Sequence, residues 1–135
     1  MSAEKVPIYH MCCVSDYELA IEQGGIYYSP TYHQDGFIHA TENPALLLQA
    51  GTHFYRSSVG NWICLKIDAN KLNAEVRYES PAAVGNIKAV DYSENQTETP
   101  RFPHIYGPIN VDAVIEQFPI VRDSDGSFLS IPGLC

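Results

Sequence analysis

Five histidines are spread through the chain, and two of them sit where neighbouring residues give an imidazole something to do. The stretch DGFIHATEN (35–43) opens on a turn dipeptide, passes through Phe37 and Ile38, and then sets His39, Thr41 and Glu42 in quick succession. In an extended chain, alternate side chains share a face, so Phe37, His39 and Thr41 project one way while Ile38 and Ala40 project the other. Ile38 and Ala40 are thereby read as core anchors, and His39 and Thr41 as a polar pair that can hold a ligand and move a proton. The plain alternative is a core histidine satisfied by its neighbour's hydroxyl.

RFPHIYGPIN (101–110) is the second such stretch. Pro103 and Pro108 each restrict themselves and the residue before them, which makes the segment stiff and non-helical. His104 and Tyr106 would point the same way on a strand, and Gly107 would let a ligand approach the backbone. The alternative is a proline-framed edge strand with a surface histidine. His10, alone inside the apolar run PIYHMCCV (7–14), reads more simply as a hydrogen-bonded core residue. His33, in a tyrosine-rich loop, and His53, on a helix, read as exposed or structural, and Arg77 with Glu79 as a solvated ion pair.

Several chemistries lack their spacing. Zinc would need a pattern such as H-x-H, H-E-x-x-H or paired cysteines, none of which is present, so no metal is expected. HAT (39–41) matches one His-x-Thr element of the two-histidine phosphoesterases, but a second element is missing. A glycine-rich phosphate loop and a G-x-S-x-G elbow are also absent.

The elements that must position these residues follow from pattern. The 135 residues suffice for one domain, 1–135, with its own core. At 45% hydrophobic and 18% charged residues, the composition is that of an ordinary globule. PIYHMCCV is strand-like, with Ile8, His10 and Cys12 on one face. Ser15 and Glu18 form a capping box for a helix ended by Gly24 and Gly25. Residues 25–36 read as a connecting segment. Asn43 and Pro44 then open a second helix, which Gly51 weakens. NWICLKID (61–68) reads as a strand with one buried face, AEVRYE (74–79) as a strand with a polar side, and SENQTETPR (93–101) as a mobile loop. Asp125-Gly126 marks a hairpin between two closing strands. Strands outnumber helices, and the helices cluster early, which favours α+β over an alternating α/β fold.

Charge limits the partners. Sixteen acidic against eight basic residues give a formal charge of −8, which disfavours bulk nucleic acid and anionic membranes. Arg56, Arg77 and Arg101 can still gather around one phosphate. Cys12, Cys13, Cys64 and Cys135 have no disulfide or metal spacing and read as reduced thiols. The first ten residues lack a secretory h-region and no run is long enough to span a bilayer, so a cytoplasmic location is expected.

The order and spacing of several pieces resemble the domain of unknown function 952 family. They are IYH (8–10), GGIYYS (24–29), DGFIHAT (35–41), HFY (53–55), LKIDANKLNAEVRYE (65–79) and FPHIYGPINVDAV (102–114). Tyr17 stands where that family usually has tryptophan, and Asn43-Pro44 departs from its usual opening of the second helix. The resemblance implies an ADP-ribosyltransferase-like split β-sheet, with two helices in the N-terminal half and a cleft that in active relatives holds NAD.

Carried over, His10 matches the first ribose-orienting position. His39 with Thr41 matches the second, Tyr27 is an aromatic wall, and His104 with Tyr106 is the third. His10, His39, Thr41 and His104 are thus the expected catalytic set, and Tyr27, Ser29, Arg77, Tyr106 and Gly107 the expected nucleotide-binding set. Many NAD-cleaving relatives use a late glutamate; Glu116 follows the third segment without a matching signature. The expected activity is transfer or cleavage of a nucleotide group from NAD or a related nucleotide. The alternatives are a non-catalytic nucleotide-binding module of the same fold and a histidine metal-dependent hydrolase.

Overall fold

The computed structural model describes residues 7–91 and 101–135. In chain order, the first half contains β1 (Ile8–Cys13), α1 (Val14–Glu22), β2 (Ile26–Tyr27), α2 (Tyr32–Asp35), β3 (Ile38–His39), α3 (Ala45–Tyr55) and β4 (Trp62–Ile67). The second contains β5 (Glu75–Glu79), β6 (Phe102–Tyr106), β7 (Ile109–Asn110), β8 (Val114–Pro119), β9 (Val121–Arg122) and β10 (Phe128–Ser130). This is an α+β chain. Its strands form two three-stranded antiparallel sheets, β1-β4-β8 and β3-β6-β5, and two short pairs, β2-β7 and β9-β10. No helix among the described residues is long and apolar enough to cross a membrane.

Period-two alternation divides the core. Ile8 and Cys12 of β1 join Leu65 and Ile67 of β4 in one cluster, which also takes Tyr17 and Ala20 of α1 and Ile38 and Ile105 of the second sheet. Tyr9 and Met11, with Trp62 and Cys64, join a second cluster with Leu47 of α3 and Phe128 of β10. NWICLKID therefore forms a central strand covered on both faces, not a strand with one buried face. Its apolar residues on both sides of the pleat are the physical reason.

The two large sheets meet where Tyr9 and Thr41 exchange backbone hydrogen bonds, Tyr9 N–H to Thr41 C=O at 2.7 Å and Thr41 N–H to Tyr9 C=O at 2.9 Å. Because β1 belongs to one sheet and the chain leaving β3 to the other, this bridge holds His10, just after Tyr9, and His39, two residues before Thr41, at the junction.

Local signals fared unevenly. The capping box at Ser15 and Glu18 does not form: α1 starts directly off β1 at Val14, whose N–H bonds to Asn61 C=O, and makes no side-chain cap. Asn43 does cap α3, its Oδ1 accepting from Ala45 N–H at 3.1 Å. Residues 25–36 are more ordered than a connection, holding β2 and the single turn α2, which Gly36 closes at φ 85°. RFPHIYGPIN is not an edge: β6 is the central strand of its sheet and His104 is buried. Pro103 is tolerated there because its carbonyl accepts from Ala40 N–H just beyond the end of β3, where its own missing N–H interrupts no ladder. Of SENQTETPR, residues 93–100 lie outside the described residues.

Gly51 illustrates how tertiary context reverses a propensity. A Cβ there would stand 2.4 Å from Phe128 Cδ2, so the glycine admits β10 against α3. Helix propensity alone makes Gly51→Ala stabilising by about 1 kcal/mol. Overpacking against a ring already held by Trp62 and Arg122 costs about 1–3 kcal/mol. Gly51→Ala is therefore expected to destabilise, and urea denaturation at neutral pH measures the sign directly.

Candidate functional site

A cleft opens at the junction of the two sheets. His10 reaches it from β1, His39 from β3 and His104 from β6, under Leu47 and Phe54 of α3 and behind Val84 and Val90 of the segment following β5. His39 and His104 are direct cross-strand partners, their ring centroids 5.6 Å apart and steeply inclined. Its volume is about 70 Å³ and its lining is mostly apolar.

His104 is 3% exposed and is fixed from three sides. Its Nδ1–H donates to Glu79 Oε1 at 2.9 Å, and the same oxygen accepts from Tyr106 O–H at 2.5 Å. Phe37 stacks on the imidazole at 4.0 Å with only 14° between the planes. Hydrogen bonds from Tyr106 and His104 hold the Glu79 carboxyl below its usual range, and the carboxylate raises the Tyr106 phenol in return. With Nδ1 committed to Glu79, Nε2 is the nitrogen left to meet a ligand, and no hydrogen bond engages it among the described residues. A carboxylate-oriented imidazole with a free Nε2 is the arrangement of a general base.

His39 has its own carboxylate. The turn of α2 followed by Gly36 brings Asp35 back over β3, and His39 Nε2–H donates to Asp35 Oδ2 at 3.2 Å. Asp35 also accepts from Thr31 O–H at 2.6 Å and from Gly85 N–H at 3.0 Å, so it ties the histidine to the segment that walls the cleft. Burial lowers the His39 pKa, opposed by Asp35.

His10 is wholly engaged by protein. Its Nδ1–H donates to His39 C=O at 2.6 Å, and its Nε2 accepts from Tyr27 O–H at 3.3 Å. Burial pushes its pKa down to about 4, against the pull of the His39 carbonyl, so the ring is neutral at physiological pH. It orients the backbone of His39 and has no nitrogen left for a ligand.

The other expected site residues separate. Thr41 borders the cleft, but its hydroxyl donates to Asn43 C=O at 3.2 Å and accepts from Asn43 N–H at 3.1 Å, shaping the entry to α3. Tyr27 and Ser29 line an adjoining hollow. Tyr106 acts through Glu79. Arg77 is exposed on β5, stacked over Tyr106 at 4.5 Å and paired with Glu75 at 2.7 Å.

The space beside Gly107 is taken by Ala74, whose Cβ would stand 2.7 Å from an added side chain, so the glycine serves packing and not ligand approach. The three arginines do not gather, since Arg56 faces Asp125 and Arg101 donates to Tyr78 C=O. Glu116 is exposed on β8 opposite Lys66, away from the cleft. Burial raises the Cys12 thiol and pushes Cys64 up to about 12, which suits packing and not nucleophilic attack.

Two carboxylates that matter, Asp35 and Glu79, were not picked out by spacing. Asp35 has a local signal, four residues before His39. Glu79 has only the polar alternation of AEVRYE, and its role depends on β5 pairing with β6 across a long sequence separation. Among the described residues, no group of three or more His, Cys, Asp or Glu side chains is placed to hold a metal ion.

Protein CC0527 of Caulobacter crescentus has a similar fold. Its crystal structure matches with a TM-score of 0.66 at 22% identity over 91% of this chain and 93% of that one. Its solution structure matches with a TM-score of 0.62 at 22% identity over 96% and 94%. No curated protein matches the sequence. The family described as protein of unknown function (DUF952) matches residues 12–117, which takes in β3, β5 and β6 with both carboxylate–histidine pairs, and the chain belongs to that family.

Proposed function

We propose that the cleft binds NAD or a related nucleotide and transfers or cleaves a group at its ribose, on a fold of the ADP-ribosyltransferase-like split-sheet kind. The observation that carries this reading is the pair of carboxylate-backed imidazoles, Glu79–His104 and Asp35–His39, facing one another in an apolar cleft between two small sheets.

In such a reaction the bond from ribose to nicotinamide breaks, its electrons leave with the nicotinamide, and positive charge builds on the sugar. The attacking water or hydroxyl gives its proton to His104 Nε2, which Glu79 holds in the required tautomer. The apolar walls strengthen dipoles aimed at the developing charge. His10 acts as a positioning residue by fixing the backbone of His39. A volume of about 70 Å³ is below the roughly 300 Å³ of even a small ligand pocket. Entry of a nucleotide therefore requires residues 81–90 to move, a segment pinned at Gly85 by Asp35 and at Lys88 by His53.

A nucleotide-binding module without turnover is the second reading. It is favoured by the engagement of both His10 ring nitrogens and of the Thr41 hydroxyl by protein groups, which leaves fewer side chains to act on a bound nucleotide. Thermal melting with NAD, ADP-ribose and simple nucleotide phosphates, run beside an assay for free nicotinamide, separates the two. Ligand at a hundredfold excess over Kd is expected to add about 2.7 kcal/mol to the folded state. A shift with nicotinamide release supports the enzyme, a shift without release supports the module, and no shift with any nucleotide removes both.

A further inference from the structure

The wall formed by His10, Met11 and Tyr55 has a second hollow on its other side, of about 220 Å³, which shares those three residues with the histidine cleft. Tyr27, Tyr55, Trp62 and Pro30 give it broad ring and apolar surfaces. Tyr55 and Trp62 already pack as a tilted pair with centroids 4.4 Å apart. An apolar cavity of about 150 Å³ is enough to admit a benzene ring.

One polar group there has no partner among the described residues. Ser29 Oγ is buried and makes no hydrogen bond to any of them, although a buried hydroxyl left unpaired costs free energy and native proteins avoid it. The neighbouring Tyr27 hydroxyl is not available to it as a donor, being committed to His10 Nε2. The charged side chain on this wall is the carboxylate of Asp16, and no cation lines the hollow among the described residues, so an anion is disfavoured.

We infer that this hollow is a second compartment of the cleft, taking a neutral or cationic heteroaromatic ring that carries an amide or amino group. The ring lies between the Tyr27 and Tyr55–Trp62 walls, and its polar substituent meets Ser29 Oγ. Its connection to a reacting bond between His39 and His104 rests on the nucleotide reading above; the ring site itself does not.

Nicotinamide and adenine are the probes, titrated separately into the protein and followed by ligand-observed NMR and calorimetry. At least one is expected to bind with one-to-one stoichiometry. Ser29→Ala is expected to weaken it about tenfold while melting no lower than the parent, since the substitution removes the unpaired hydroxyl. Glu116→Gln, exposed on β8, is expected to leave binding unchanged. Absence of binding by both probes at millimolar concentration, or equal binding to Ser29→Ala, overturns the inference and leaves only a water-filled hollow. Ring binding that depends on Ser29 without NAD cleavage upholds this site and removes the group-transfer reading. NAD cleavage that ignores Ser29 does the reverse.

Discussion

His104→Ala is expected to slow nicotinamide release from NAD by about 10²- to 10⁴-fold, the range by which a positioned general base contributes. The substitution removes Nε2, unengaged among the described residues, while leaving the Glu79–Tyr106 hydrogen bond, so β5 and β6 remain paired and the loss falls on chemistry. Circular dichroism and a melting curve check that the variant folds.

Glu79→Gln is the sharper companion. It keeps the shape and the bond to Tyr106 but removes the charge that holds His104 with its proton on Nδ1. Its effect is expected in kcat with little change in KM, because Glu79 acts through the ring and not on the nucleotide. A loss confined to KM would instead make the carboxylate part of the binding surface. Full activity in both variants would remove His104 as the base.

Acid is expected to weaken the fold well before the carboxylates are protonated. The buried His10 has its pKa depressed to about 4 from an ordinary 6.5, so the unfolded chain takes up that proton first as pH falls. Stability from this group is fully present above pH 6.5 and is lost progressively down to about pH 4. At 1.36 kcal/mol per unit, the whole loss is about 3 kcal/mol. His39, lowered in the same direction and half-buried, steepens the decline. The depressed carboxyls of Glu75, Glu79 and Asp125 titrate below their ordinary values, so their contribution falls at still lower pH.

Urea titrations of the parent and of His10→Asn at pH 7.5, 6 and 5 read the window. The variant is expected to be weaker at pH 7.5, having lost the ring between His39 and Tyr27, and to show a flatter slope with pH. Equal slopes would mean that His10 is not the buried neutral group.

Much of the scaffold was legible because its signals are local. The alternation in PIYHMCCV and NWICLKID marked β1 and β4 as strands, though not that β4 would be buried on both faces, and Asn43 announced the start of α3. What escaped depends on pairing between distant segments. Nothing in RFPHIYGPIN says that it will be flanked by β3 on one side and β5 on the other, yet that placement buries His104 and brings Glu79 to it.

The same holds in the negative. Thr41 stands two residues from His39 on the same side of an ideal strand, but β3 ends at His39, and the hydroxyl turns to the Asn43 backbone instead of joining the imidazole. Gly107 and Gly51 carry no sign of the side chains that will press against them, Ala74 and Phe128. Residue types revealed which groups can move a proton; sheet register decided which of them face the cleft.

The central claim is that the imidazoles of His39 and His104 meet one ligand together. Long-range proton–nitrogen NMR of protein carrying labelled histidine, recorded while NAD or ADP-ribose is added, tests it. The expected result is a concerted, saturable change at both rings, with the His104 Nε2 resonance moving most and the resonance of His33, which does not line the cleft, unmoved. Saturating ligand that shifts neither ring, or shifts His33 and leaves His39 and His104 in place, would contradict it.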